Sequence, residues 1–173
     1  DKPLLTEQDM AGFRFDLMRI SYDVNSDAWG APEMIVAYSE VGKSCAFPRP
    51  SPDGRYILHI LSDKTTYPIH QRSSDVYALD LKTGRYQRLD AVDSDRAESY
   101  PRWSSNGRWF SFLSNRRDGL SALPYFAYFD AEGQAHKAFV LPQEDPAFFD
   151  TFVDTYNVVE MVKGKVTISP FAL

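Results

Sequence analysis

Two arginines, Arg49 and Arg102, stand in the same setting: "FPRPSPDGRYILHI" from Phe47 and "YPRWSSNGRWFSFL" from Tyr100. A guanidinium is a planar fork of donors that fits a carboxylate. Two of them at equivalent positions of a repeat could line an opening and attract a carboxylate or an acidic partner. The other reading is that each pairs with an acid of a neighbouring repeat. Tyr67, His70 and Gln71 form a second candidate set. They lie in "SDKTTYPIHQRSS" (Ser62 to Ser74), the main irregularity of the repeat, and loops carry function more often than packed strands do.

The remaining chemistry-bearing residues point to no catalytic centre. A Gly-x-Ser-x-Gly elbow is missing, since "GLSAL" (Gly119 to Leu123) lacks its second glycine, and neither a Gly-rich phosphate loop nor a dinucleotide fingerprint occurs. The three histidines, His59, His70 and His136, have no ligand spacing. His59 aligns with Phe112 of the second copy, an apolar position, which predicts packing. The expectation is therefore no catalytic residues, no metal and no cofactor. Asp93, Asp95 and Glu98, like Glu144 and Asp145, fall in polar stretches and read as solvated loop charge. Asn115-Arg116-Arg117 reads as a solvated turn. The single Cys45 reads as a small core residue.

What must hold these residues is the repeat itself. Asp53 matches Asn106 at an offset of 53 residues, and such self-similarity dictates architecture before any local reading does. "SPDG" and "SSNG" are tight turns, because Asp or Asn bonds its own following backbone and Gly supplies positive φ. "DLKTG" (Asp80 to Gly84) and "DAEG" (Asp130 to Gly133) predict a second hairpin in each copy. Each copy thus reads as four short strands. In "RYILHIL", Tyr56, Leu58 and Ile60 share one face and Ile57, His59 and Leu61 the other, both largely apolar. A strand with one wet face would alternate strictly, whereas a sheet packed on both sides does not. The fold class expected is all-β, a β-propeller of four-stranded antiparallel blades.

"FDLMRISYDVNSDAWGAPEMIV" reads as the second hairpin of a preceding blade. Residues 1–141 are therefore expected to form a partial propeller, with a half blade at 13–36 and blades at 45–90 and 98–141. That makes about two and a half blades, where closure needs at least four, and it predicts a piece of a longer propeller or exposed blade edges open to self-association. Residues 142–173 are expected as a tail packing on the propeller. There Phe148, Phe152 and Tyr156 recur by fours beside Phe149 and Val153, behind Asp145 as cap and Pro146 at the first turn. This predicts a helix ending near Asn157. Trp103 matches Pro50 and is expected to fill a gap between blades.

Bulk properties narrow the partners. Among 173 residues, 43% are hydrophobic and 14% aromatic, a globular and strand-favouring balance. The net charge of −5 argues against nucleic acid, and no apolar run is long enough to span a membrane as a helix. The opening "DKPLLTEQDM" carries no initiator Met, so a mature or trimmed piece is expected.

The repeated "FPRPSPDGRYILHI" and "YPRWSSNGRWFSFLSN" resemble the TolB-type β-propeller repeat, whose hallmark is a Ser-Pro-Asp-Gly turn followed by a strand; Ser105-Asn106 replaces Pro-Asp in the second copy. The resemblance covers roughly Phe13 to Leu141 and is closest to the C-terminal part of such proteins. It implies a non-catalytic, protein-binding scaffold of the periplasm or cell envelope. The alternative is the propeller portion of a peptidase or polysaccharide lyase whose catalytic groups lie outside this chain. Carbohydrate binding, suggested only by the aromatic content, is weaker, because blade packing explains those rings.

Overall fold

The computed structural model describes residues 6, 9, 12–64, 67–165 and 167. Strands β5 (Ser44–Pro50), β6 (Tyr56–Ser62), β7 (Asp75–Asp80) and β8 (Tyr86–Arg88) form one four-stranded antiparallel meander. Strands β9 (Glu98–Trp103), β10 (Trp109–Ser114), β11 (Leu123–Tyr128) and β12 (Phe139–Val140) repeat it. Before them, β1 (Leu17–Arg19) pairs with β4 (Glu33–Val36), and the long turn between them carries the small hairpin β2 (Tyr22–Asp23) and β3 (Ala28–Trp29). The architecture is mostly β, two four-stranded antiparallel blades and a half blade: a partial β-propeller.

The repeat holds at the level of single hydrogen bonds. At the first turn Gly54 N–H donates to Ser51 O at 2.8 Å, and Ser51 Oγ–H to Asp53 Oδ1 at 2.6 Å; Arg55 N–H also reaches Asp53 Oδ1, at 3.1 Å. At the second turn Gly107, Ser104, Asn106 and Arg108 repeat those bonds at 3.0, 2.7 and 3.0 Å. Gly54 and Gly107 take φ of 71° and 65°, the left-handed region that a side chain disfavours. Asp53 and Asn106 are thus turn residues.

Both faces of the first blade are covered. Tyr56, Leu58 and Ile60 of β6, with Val76 and Ala78 of β7, pack against Phe110 and Phe112 of β10, Ala127 of β11 and Phe129. Leu61 and Leu79, on the opposite face, meet Leu17 and Val36 of the half blade together with Cys45. Trp103 stands edge-on to Phe129 at 5.0 Å and donates its indole N–H to Arg49 O at 3.0 Å, so it bridges the blades as expected. Cys45 is buried, and burial pushes its thiol up to about 11, in line with a packing role.

The outer faces of the stack are not covered to the same degree. Met18 and Met34 are register partners on the half blade, each about half exposed. Trp109, Tyr128 and Phe139 form an open aromatic patch on the second blade, with ring contacts of 5.3 and 6.1 Å.

The tail differs from the expected helix. Among the described residues it holds one 3-10 turn, Phe148–Asp150, and then runs irregularly. Asp145 does not cap that turn, whose N-cap is Ala147; it accepts from Ala147 N–H at 2.9 Å just ahead of it. Beyond it, β-branched Thr151, Val153 and Thr155 alternate, which disfavours helix. Tyr156 N–H donates instead to Ala122 O at 2.9 Å, and Ala122 N–H to Thr155 Oγ1 at 2.9 Å. Bonds to the blade replace the i−4 bonds a helix requires. The apolar content still acts, since Phe148, Phe149, Phe152 and Tyr156 gather into one ring cluster. The last part of the tail, residues 166 and 168–173, lies outside the described residues, as do 1–5, 7, 8, 10, 11, 65 and 66.

Candidate functional site

The first strand of each blade, β5 or β9, is an edge strand, and in a closed propeller the first strand of each blade lines the central channel. These two strands lie side by side and carry the repeated candidates. Each has a bulge at the same place, and there Phe47 and Tyr100 take φ of 51° and 53°. Bulky residues rarely adopt this conformation, and both copies do so. The consequence is contact between equivalent residues: the Phe47 and Tyr100 rings sit 4.4 Å apart.

Arg49 and Arg102 follow two residues later, both half-buried. Burial lowers the pKa of Arg49, and the positive charge of Arg102 adds to that. The acid that meets them comes from the tail rather than from a neighbouring blade: Glu160 Oε1 lies 3.0 Å from Arg102 Nε. Arg49 donates Nη1–H to its neighbour Pro48 O at 2.8 Å. The Nε atoms of both arginines are buried without a hydrogen-bond partner among the described residues.

The loop candidates divide. Tyr67 is 75% exposed with its ring 6.4 Å from His70. Gln71 clamps its own loop, accepting from Lys64 N–H at 3.0 Å and donating to Lys64 O at 3.2 Å. This gives Gln71 a structural task that the sequence did not suggest. His70 closes the turn Pro68–His70, which packs against β9, and helps to line an open depression of about 340 Å³ with Ile69, Tyr100, Leu113 and Tyr156. Tyr100 thus links this loop to the arginine pair.

The reading of Asp93 and Glu98 as solvated charge is corrected. Glu98 is fully buried, and Asp75 and Asp93 stand with it; a ligand atom from each falls within 4.8 Å of the others. Glu98 Oε1 accepts from Ser94 Oγ at 2.6 Å, Ser114 Oγ at 3.0 Å and Arg116 Nη2 at 3.0 Å. Arg88 meets Asp75 at 3.2 Å and also bonds Asp93, while Lys43 stands 3.5 Å from Asp75. Burial pushes Glu98 up to about 7 and Asp75 up to about 6, the nearby Asp93 adding to both shifts. Asp93 itself is held low: burial opposes this, but Arg88 prevails. Three oxygen donors would suit a hard cation in principle. Here three cationic side chains already balance the three acids, and the cluster acts as a clasp between blades that shares protons. The repeat offered a signal for it, because Glu98 aligns with Cys45, itself a core position.

Arg116 corrects the solvated-turn reading in the same way. Its guanidinium lies 4.5 Å over the Tyr125 ring and donates to Val92 O at 2.5 Å. Asn115 is buried and accepts from Ala97 N–H at 3.1 Å. His59 packs as expected: it is fully buried against Tyr86, with Nε2 2.8 Å from the phenol oxygen, and burial drops its pKa to about 4. His136 pairs with Asp130 Oδ2 at 2.9 Å in a surface hairpin.

No protein-family model matches the chain. The curated proteins give no match either. Among solved structures, the chain is similar to the β-propeller domain of the Trilobed protease from Pyrococcus furiosus, with 16% identity and a TM-score of 0.45 over 78% of this chain and 38% of that one. It is also similar to a candidate dipeptidyl aminopeptidase IV from Bacteroides ovatus, with 16% identity and a TM-score of 0.42 over 72% of this chain and 24% of that one. The chain spans well under half the length of either structure.

Proposed function

We propose that this chain is a stretch of a TolB-like β-propeller that serves as a non-catalytic, protein-binding scaffold in the cell envelope. One observation carries the reading: apolar blade faces stand open at both sides of the stack, Met18 and Met34 on one and Trp109, Tyr128 and Phe139 on the other. Faces built this way are made to be covered by further blades or by a partner. The envelope location and the TolB-like kinship rest on the resemblance of the repeat.

A second reading uses the same open faces. In it they abut a catalytic domain, and the chain is the propeller portion of a peptidase or polysaccharide-lyase-type enzyme. Site-specific photocrosslinking in source cells tests both, with the crosslinker at Met34 in one strain and at Trp109 in another. Crosslinks to further blades or to a separate protein support the scaffold. A crosslink from either position to a hydrolase or lyase domain establishes the second reading instead. Uncrosslinked protein at both positions refutes the proposal.

A further inference from the structure

We infer that Arg49 and Arg102 form a carboxylate-binding site on the channel side of the propeller, and that the chain's own Glu160 occupies it as an internal ligand. A partner binds by placing an acidic peptide segment there and displacing the tail. This rests on the protein-binding reading and names the chemistry of the partner.

Two guanidiniums side by side repel one another unless an anion shares them. The fold nevertheless brings them together, by repeating the same residue at the same step of two adjacent inner strands. Glu160 supplies a single carboxylate, 3.0 Å from Arg102 Nε, close enough for an ion pair but not aligned as a hydrogen bond. One negative charge against two positive ones leaves the site electropositive, and both Nε–H donors stay unpartnered among the described residues. A carboxylate free to choose its approach would satisfy them in the forked geometry that arginine favours.

The occupant is held loosely. Glu160 is 61% exposed at its side chain and sits in irregular chain, four to five residues past the Thr155 and Tyr156 anchorage. Its neighbour Val159 packs near Tyr100 with Tyr156. The tilted Phe47–Tyr100 ring pair flanks the arginines and offers an apolar wall to a peptide. Both of its residues are in a strained backbone conformation, and strain in a fold commonly gathers at binding sites.

The test uses fluorescence anisotropy on the full chain with a fluorescein-labelled peptide rich in Glu that ends in a free carboxylate. A C-amidated twin and a Glu→Gln twin separate terminal from side-chain recognition. Glu160→Gln empties the site without touching the core, and is expected to tighten binding roughly tenfold. Arg49→Ala and Arg102→Ala are each expected to weaken it roughly tenfold or more, with Arg49→Lys and Arg102→Lys intermediate. Binding is expected to fall with added salt. The inference is overturned if Glu160→Gln binds no tighter than the parent, or if the Gln and amidated twins together bind as well as the acidic peptide. Because the crosslinkers sit on the outer blade faces, such a failure would leave the scaffold reading standing. Missing crosslinks with peptide binding intact would sink the scaffold reading and leave the arginine pair as a carboxylate site without that role.

Discussion

Replacing Glu98 with glutamine should make the protein more stable at pH 8, although Glu98 is fully buried and in an ion pair. The reasoning starts from the two oxygens of its carboxylate. Oε1 accepts from Ser94, Ser114 and Arg116, and a glutamine oxygen can do the same. Oε2 has no hydrogen-bond partner among the described residues, and neither has Asp93 Oδ1. Burial raises the pKa of Glu98, and the meeting of the two carboxyls adds to this against the lowering by Ser94, Arg116 and Ser114. An amide N–H₂ in place of Oε2 supplies the donor that a proton supplies in the parent. Ionising Glu98 costs more in the folded state than in the unfolded chain, since its pKa moves from 4.5 to about 7. At about 1.4 kcal/mol per pKa unit this amounts to on the order of 3 kcal/mol.

The sign follows from the raised folded-state pKa. The favourable contribution of Glu98 is complete below pH 4.5 and is lost as pH rises through about 7; that of Asp75 is lost through about 6. His59 acts oppositely. Its folded pKa of about 4 lies below the ordinary 6.5, so its contribution is lost as pH falls. The two trends mask each other in the parent, and the difference between Glu98→Gln and parent isolates the carboxyl. Urea unfolding of the full chain, followed by tryptophan fluorescence, should show no difference near pH 4. The variant should gain on the order of 3 kcal/mol by pH 8, which in a thermal melt is roughly 6–12 °C in midpoint for a chain of this size. A variant less stable than the parent at pH 8 would refute the shared-proton clasp and show that the Arg116 ion pair outweighs the cost of burying the charge.

Further outcomes follow from the packing. Phe110→Ala should cost about 3–5 kcal/mol in urea unfolding, because the ring is fully buried between blades. Gly133→Ala should destabilise by about 1–3 kcal/mol: φ is 81°, and a Cβ there would fall 2.8 Å from the Tyr56 hydroxyl. Trp103→Phe should cost about 1 kcal/mol through loss of the bond to Arg49 O, read by thermal melting against the parent.

The blades were legible because turn chemistry is local. Ser51, Asp53 and Gly54 form their turn with bonds that close within a few residues, and the second copy spells out the same bonds. The pattern of β6 likewise revealed two packed faces, since both alternating sets of its residues are largely apolar. The acid cluster was not legible, because Asp75, Asp93 and Glu98 converge only once two blades dock. Each acid sits between a serine and an apolar residue, Val76, Val92 or Ala97, a mixed setting that does not announce burial of the carboxyl. The tail failed for another reason. Its aromatic spacing was real, but spacing records which residues gather, and the chain gathered them around bonds to Ala122 instead of around a helix axis.

Where the two copies agree and where they part has a physical logic. Turn residues agree because every blade needs the same turn. Residues between blades part, because each interface must interlock with a different neighbour: His59 faces Phe112 in the alignment, Pro50 faces Trp103, and Cys45 faces Glu98. Phe47 with Tyr100 and Arg49 with Arg102 belong to neither group. They form no turn, and they keep an aromatic and a cation on the strand where adjacent copies come into mutual contact. Repetition there costs backbone strain and charge repulsion. The two rings also pack against the core clusters; what packing leaves unexplained is the pair of adjacent guanidiniums. A cost that folding does not demand is best accounted for by a ligand, and the carboxylate that Glu160 already offers marks its chemistry.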